Sequence, residues 1–165
     1  MTSLPKQKSR TQDGKWFEAK YVDAVAVIGK KVPVSNIRLY DTTSAGGGAF
    51  IPEVDGDFIT AFPGGALLVE CKSSEKHESL RSCLSANVST GQAASHRLWH
   101  RTGNPCIFLF YTEIGDMVEC WHGFTVGTHR AEGKPLPKEG WLFRCKLSEM
   151  TELLKNTVFS LSICR

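Results

Sequence analysis

Three features of this 165-residue sequence predict an α/β fold in which a mixed central β-sheet is flanked by helices. Phe17, Tyr21, Ala24, Val25 and Ile28 recur at helical spacing. Residues 58–62 and 66–73 are strand-like runs on either side of Pro63-Gly64-Gly65, which supplies the backbone freedom of a hairpin turn. Residues 106–111 (CIFLFY) are apolar throughout, as in a strand covered on both faces.

Residues 1–14 hold Lys6, Lys8 and Arg10 with almost no apolar side chains, so a flexible basic arm is expected there, running into Lys15. Residues 15–165 then have the size of one domain. The first helix starts at Trp16, with Gly29 as its C-terminal cap. A strand is expected over 32–40, and residues 42–48 (TTSAGGG) form a connecting loop that lacks the Gly-Lys-Ser/Thr of a phosphate-binding loop. After the hairpin, residues 74–82 are polar. Helix-compatible sequence then runs to about Thr102, with Ala93, Ala94, Leu98 and Trp99 as its apolar side and Gly103-Asn104-Pro105 as its stop. Beyond the 106–111 strand, residues 117–126 read as another strand. Residues 147–156 read as a short helix opened by Ser148, with Glu149 and Glu152 in its first turns. The order α-β-β-β-α-β-β calls for a mixed sheet.

With 41% hydrophobic and 22% charged residues the chain suits a compact core, and its net charge of +3 is too mild to demand a polyanion partner unless the charge is clustered. The six cysteines never fall in a CxxC or CxC pair, which excludes a zinc ribbon and a redox motif. Cys71, Cys106 and Cys120 lie in apolar runs, where reduced cysteine acts as a small hydrophobe, and a reducing compartment follows. No apolar stretch resembles a signal peptide or a membrane span, so a soluble, cytoplasmic protein is expected. No Ser/His/Asp or Cys/His pattern supports nucleophilic catalysis.

The hairpin is where chemistry concentrates. Alternation puts Leu68, Glu70 and Lys72 on one face of the second strand and Leu67, Val69 and Cys71 on the other. If the turn sets Phe62 opposite Gly65 or Ala66, Glu70 falls opposite Asp57 or Phe58, so Asp57 lies within one pair of Glu70. The same counting puts Asp55 nearer Lys72, as an ion-pair partner or an outer ligand. Two carboxylates so placed repel unless a divalent ion, a shared proton or a cationic neighbour compensates. Magnesium suits such hard oxygen donors. The plainer reading is a surface hairpin whose acids point into water and are balanced by Lys72.

Glu18 on the first helix, Asp57 at the head of one strand and Glu70-Cys71-Lys72 on the next resemble the signature of the PD-(D/E)XK nuclease superfamily. LSANVSTGQAASHRLWHRTGNPCIFLFYTE, residues 84–113, is similar to the segment after the catalytic strand in RecU-type Holliday junction resolvases. The likeness spans roughly residues 14–123. It departs from the pattern at Gly56, where the PD dipeptide has proline, which leaves Asp55 or Glu53 as rival ligands, and there is no counterpart of the RecU stalk. The resemblance implies a restriction-endonuclease-like core and a magnesium-dependent endonuclease, with manganese able to substitute. It implies a homodimer that makes paired nicks in four-way junction DNA, in a bacterial cell or a phage-infected host. Asp57, Glu70 and the backbone carbonyl of Cys71 would then hold the ion, helped by Glu18 directly or through water. Lys72 would orient or help deprotonate the attacking water, and Gln92 would touch the metal shell or the scissile phosphate. A nuclease acting on ends, flaps or single strands, and a non-catalytic DNA-binding module, are the alternatives.

Positive charge gathers in three places. His96, Arg97 and Arg101, with His100, are expected on an exposed basic helix face able to lie on phosphates; the His96/His100 spacing suits zinc, but no third ligand accompanies it. Lys76, His77 and Arg81 form a second cluster, with Glu75 and Glu78 able to balance it as an ordinary solvated face. Lys6, Lys8, Arg10 and Lys15 form the third. Trp16, Trp99, Trp121 and Trp141 are expected in the core or at an interface.

Overall fold

The computed structural model describes residues 14–39 and 56–159. The basic arm with Lys6, Lys8 and Arg10, the 42–48 loop, Glu53, Asp55 and Cys164 lie outside the described residues. The elements are α1 (Gly14–Ile28), β1 (Ser35–Arg38), β2 (Phe58–Phe62), β3 (Gly65–Ser74), α2 (Leu80–Asn87), α3 (Thr90–Arg101), β4 (Cys106–Thr112), β5 (Met117–His122), α4 (Gly123–Ala131) and β6 (Trp141–Lys146). A 3-10 turn (Leu147–Glu149), α5 (Met150–Leu153) and a π-helical turn (Leu154–Phe159) follow.

The six strands form one sheet in sequence order. Only β3 and β4 run parallel; the other neighbours are antiparallel. A parallel pair needs a crossover, and α2 with α3 supplies it. The sheet is therefore mixed, as the element pattern predicts.

Alternation along the central strands divides the core between two helical layers. Leu67, Val69 and Cys71 of β3, with Ile107, Leu109 and Tyr111 of β4, pack against Phe17, Tyr21, Ala24, Val25 and Ile28 of α1 and against Met150 and Leu154. Phe108, Phe110 and Trp121 face the other way, against Leu80, Leu84, Ala93 and Val126 of α2, α3 and α4. Every residue of β4 is buried, as expected for CIFLFY. In the β2–β3 turn Gly64 adopts φ 95°, a conformation that suits glycine.

Several expectations need correction. The first strand is shorter than 32–40 and covers Ser35–Arg38. The predicted 117–126 strand stops at His122, and α4 begins at Gly123, where His122 Nδ1 accepts the Phe124 N–H at 3.3 Å. The β-prone residues Phe124, Thr125 and Val126 are overridden by packing. A Cβ on Gly123 would fall 2.6 Å from Cys106 Sγ and 2.7 Å from His96 Cδ2. Strand β6 and helix α4 were not anticipated, and the single helix expected before Thr102 is two, α2 and α3. The inward face of α3 is also turned: Ala93 and His96 are buried, while Ala94 and Leu98 are exposed. The C-terminal helix is opened by the Lys146 N–H on Glu149 Oε2 at 2.9 Å rather than by a Ser148 cap.

Helices α3 and α4 approach so closely that a Cβ on Gly127 would lie 2.6 Å from the Ala93 carbonyl oxygen and 2.9 Å from Arg97 Cγ. Alanine would gain about 1 kcal/mol of helix propensity, but it cannot enter without pushing a backbone carbonyl. Gly127→Ala is expected to lower stability by about 1–3 kcal/mol, read as the shift of a urea unfolding midpoint. A variant as stable as the parent would mean that the helices part freely.

Candidate active site

The site is assembled on β3 just beyond the residues that pair with β2. Phe62 pairs with Gly65 and Phe58 with Val69, the first of the two registers considered above. Two hydrogen bonds then bracket Glu70: the Asp57 N–H donates to the Val69 carbonyl at 2.9 Å, and the Cys71 N–H donates to Asp57 Oδ2 at 2.7 Å. The chain entering Asp57 lies tight against β3. A Cβ on Gly56 would be 3.0 Å from both Leu68 Cδ1 and the Val69 carbonyl oxygen, so glycine suits this close approach.

Glu70 is 2% exposed, and its Oε1 is held twice. Lys72 Nζ stands 2.6 Å away, and Gln92 Nε2 donates to it at 2.5 Å. The Gln92 amide is aimed by local sequence. Ser89 and Gln92 form a reciprocal cap on α3, in which Ser89 Oγ accepts the Gln92 N–H at 3.0 Å and Gln92 Oε1 accepts the Ser89 N–H at 3.1 Å. With its oxygen so occupied, the amide turns its N–H donors toward Glu70.

Glu18 comes from α1, which is positioned over β2 by a chain of hydroxyls. Tyr21 Oη lies 2.6 Å from Thr60 Oγ1, and Thr60 donates to Asn36 Oδ1 of β1 at 2.6 Å. One turn before Tyr21, Glu18 accepts an ion-paired hydrogen bond from Arg38 of β1. Arg38 was not singled out from the sequence. Its signal is its register opposite Phe58, which no sequence pattern fixes across the long 40–55 connection.

All three carboxyls are pushed above their ordinary range, chiefly by burial. Glu70 rises to about 7 because burial and then Asp57 outweigh the pull of Lys72. Asp57 rises by burial against the opposing effects of the Cys71 N–H, Lys72 and Arg38. Glu18 rises by burial and by Asp57, against Arg38, Lys15 and Lys72. Desolvated carboxylates that also repel one another fit a hard divalent cation. Among the described residues no three His, Cys, Asp or Glu side chains are gathered tightly enough to hold an ion by themselves. Asp57 and Glu70 could hold one only with water or backbone oxygens completing its shell. The Cys71 thiol packs in the α1 core, so only its backbone belongs to the site.

The basic residues divide. His96, placed above on an exposed face, is fully buried: its ring lies 4.2 Å from that of Phe108 and its Nδ1 is 3.0 Å from the Gln92 carbonyl, a core position under α3. Arg97 is half-buried, and Arg101, Lys76 and Lys15 are exposed. Arg81 is exposed too, but its Nε donates to the Leu136 carbonyl at 2.7 Å and ties α2 to the segment after α4. Trp121 is in the core; Trp16, Trp99 and Trp141 are half-buried. Among the described residues no helix is long and apolar enough to cross a membrane. A scan against models of known protein families matches none, and a search of curated proteins finds no significant match.

Proposed function

We propose that the protein is a metal-dependent endonuclease built on a restriction-endonuclease-like core. The observation that carries this reading is the meeting of Asp57, Glu70, Lys72 and Gln92 at one place, with Glu70 Oε1 shared between an ammonium and an amide. A structural hairpin has no need to bury a carboxylate to 2% exposure beside a second one. Asp57 and Glu70 would hold magnesium or manganese, with the Cys71 carbonyl and Glu18 as further oxygen donors. When bound, the ion supplies Lewis acidity, which acidifies water and offsets negative charge on a phosphate. Lys72, 21% exposed and 2.6 Å from Glu70, can donate a hydrogen bond toward solvent and steer an attacking water or a phosphate oxygen. Gln92 keeps Glu70 from turning away. Exposed Lys15, Lys76 and Arg101, with half-buried Arg97, supply positive charge for a nucleic-acid backbone.

The substrate that fits the sequence likeness is four-way junction DNA, cut by paired nicks from a two-fold dimer. Asp57→Asn is expected to abolish nicking of a labelled four-way junction in magnesium, by about a hundredfold or more, with DNA affinity in chelator retained. Linear duplex, single strand and a chelator control go in the same assay. Symmetric nicks confined to the junction support the resolvase, and shortening from ends points to an exonuclease. Binding without any cleavage, or full cutting by Asp57→Asn, overturns the catalytic reading.

A further inference from the structure

Strand β1 delivers one more charged group to the acids. Arg38 is the last residue of β1, opposite Phe58, and the next residue, Leu39, donates its N–H to the Asp57 carbonyl at 2.9 Å. The Arg38 guanidinium engages Glu18 and lies over the Phe58 ring, 5.7 Å from its centre. The Arg38 side chain is 40% exposed, while Glu18 is 15% exposed. The guanidinium thus has a carboxylate on one side and solvent at the rim of the site on the other.

We propose that Arg38 is a latch: it holds Glu18 in the cation-free protein, and uptake of a divalent ion at Asp57 and Glu70 draws Glu18 away and frees the guanidinium for a nucleic-acid phosphate. The proposal rests on the nuclease reading. A guanidinium presents paired N–H donors that match carboxylate and phosphate alike, so one group can exchange between the two. In both states each charge keeps a partner, Glu18 with Arg38 or with the ion, and Arg38 with Glu18 or with phosphate. The Phe58 ring beneath the guanidinium gives it a seat next to the acids, from which it need move only a short way to change partners. Arg38 is then a phosphate-binding residue whose hold on DNA depends on the ion. By reciprocity, the ion raises DNA affinity by the same factor that DNA raises ion affinity.

The test is fluorescence anisotropy of a labelled four-way junction, with wild type, Arg38→Ala and Glu18→Gln, in chelator and in calcium, a cation that takes the same oxygen ligands. Calorimetry of calcium uptake runs alongside. Arg38→Ala is expected to weaken binding about tenfold in calcium, the size of one charge-assisted hydrogen bond, and by less than about twofold in chelator, where the latch already withholds Arg38. Glu18→Gln opens the latch without an ion, so it should bind DNA several-fold more tightly than wild type in chelator. An ordinary phosphate contact would cost the same in both media. An equal loss in the two media, no loss in either, or a Glu18→Gln protein that binds like wild type in chelator overturns the latch. If wild type takes up calcium, binds the junction and depends on Asp57 for cutting, such results leave the nuclease reading standing. If wild type takes up neither calcium nor DNA, both fall together.

Discussion

Glu70→Gln should destroy cleavage and, in the absence of divalent ions, make the protein more stable at pH 8 than the parent. The first effect follows from losing a metal-binding carboxylate, a drop of about a hundred- to a thousandfold. The second follows from burial. In the folded protein Glu70 holds its proton up to about pH 7, against an ordinary value of 4.5. Below about pH 4.5 the group is protonated whether the chain is folded or not, and it contributes nothing to the difference. Between the two values the unfolded chain has released its proton and the folded chain has not, so stability falls as pH rises. Above pH 7 the full penalty for a charged, buried carboxylate is present, about 3 kcal/mol. Glutamine keeps the shape and the Gln92 contact without that charge. Urea unfolding in chelator should give equal midpoints at pH 4 and a higher midpoint for the variant at pH 8. Ion uptake by wild type should weaken about tenfold per pH unit below 7, because ion and proton compete for Glu70. A variant that is less stable at pH 8 would mean that Lys72 more than offsets the burial of Glu70.

The same balance explains why this part of the site could be read from the sequence. Strand alternation and a short glycine turn fix the relation of Asp57, Glu70 and Lys72 within a few residues, and the structure needs only to choose one of two registers. The contact of Gln92 with Glu70 was also within reach, because Ser89 and Gln92 have the spacing of a reciprocal helix cap. Arg38 was out of reach. It enters the site through pairing of β1 with β2 across a connection whose length leaves the register open. His96 misled for a related reason. A histidine flanked by arginine looks solvent-facing, yet α3 is rotated so that the inward positions are Ala93 and His96, beneath which Phe108 provides an aromatic surface. Strands β4 and β5 were legible as apolar runs, whereas β6 was not, and local propensity misled after His122. The strand-like residues after His122 are helical, and glycine at 123 lets that helix start close against Cys106 and His96.

Trp121→Ala is expected to bring the protein close to unfolding, because that side chain both fills the core beneath α2, α3 and α4 and holds the carboxylate that caps α2. Trp121 is fully buried on β5, opposite Phe108 and Trp141, with the Trp141 ring edge-on at 5.8 Å. Its Nε1–H donates to Glu119 Oε2 at 2.9 Å, and that same oxygen accepts the Leu80 N–H at 3.0 Å. Leu80 is the first residue of α2, whose N-cap Ser79 makes no side-chain cap bond, so a carboxylate on the sheet performs that task. Glu119 is itself fully buried, with Arg144 Nε 3.5 Å from its other oxygen. Removing the indole leaves a large cavity and takes one donor from a buried charge. The two losses together come to about 4–6 kcal/mol, comparable with the whole stability of a small domain. Trp121→Phe separates them, since it keeps most of the ring volume and loses only the N–H, for about 1–2 kcal/mol. Burial already pushes the Glu119 carboxyl up, and the indole N–H is the first of the contacts that pull it back. Without it the folded protein binds the Glu119 proton still more tightly, which adds a penalty only where that proton must be given up. The deficit of Trp121→Phe in urea unfolding should therefore be larger at pH 8 than at pH 4. A deficit independent of pH would show that the indole serves Glu119 as packing alone.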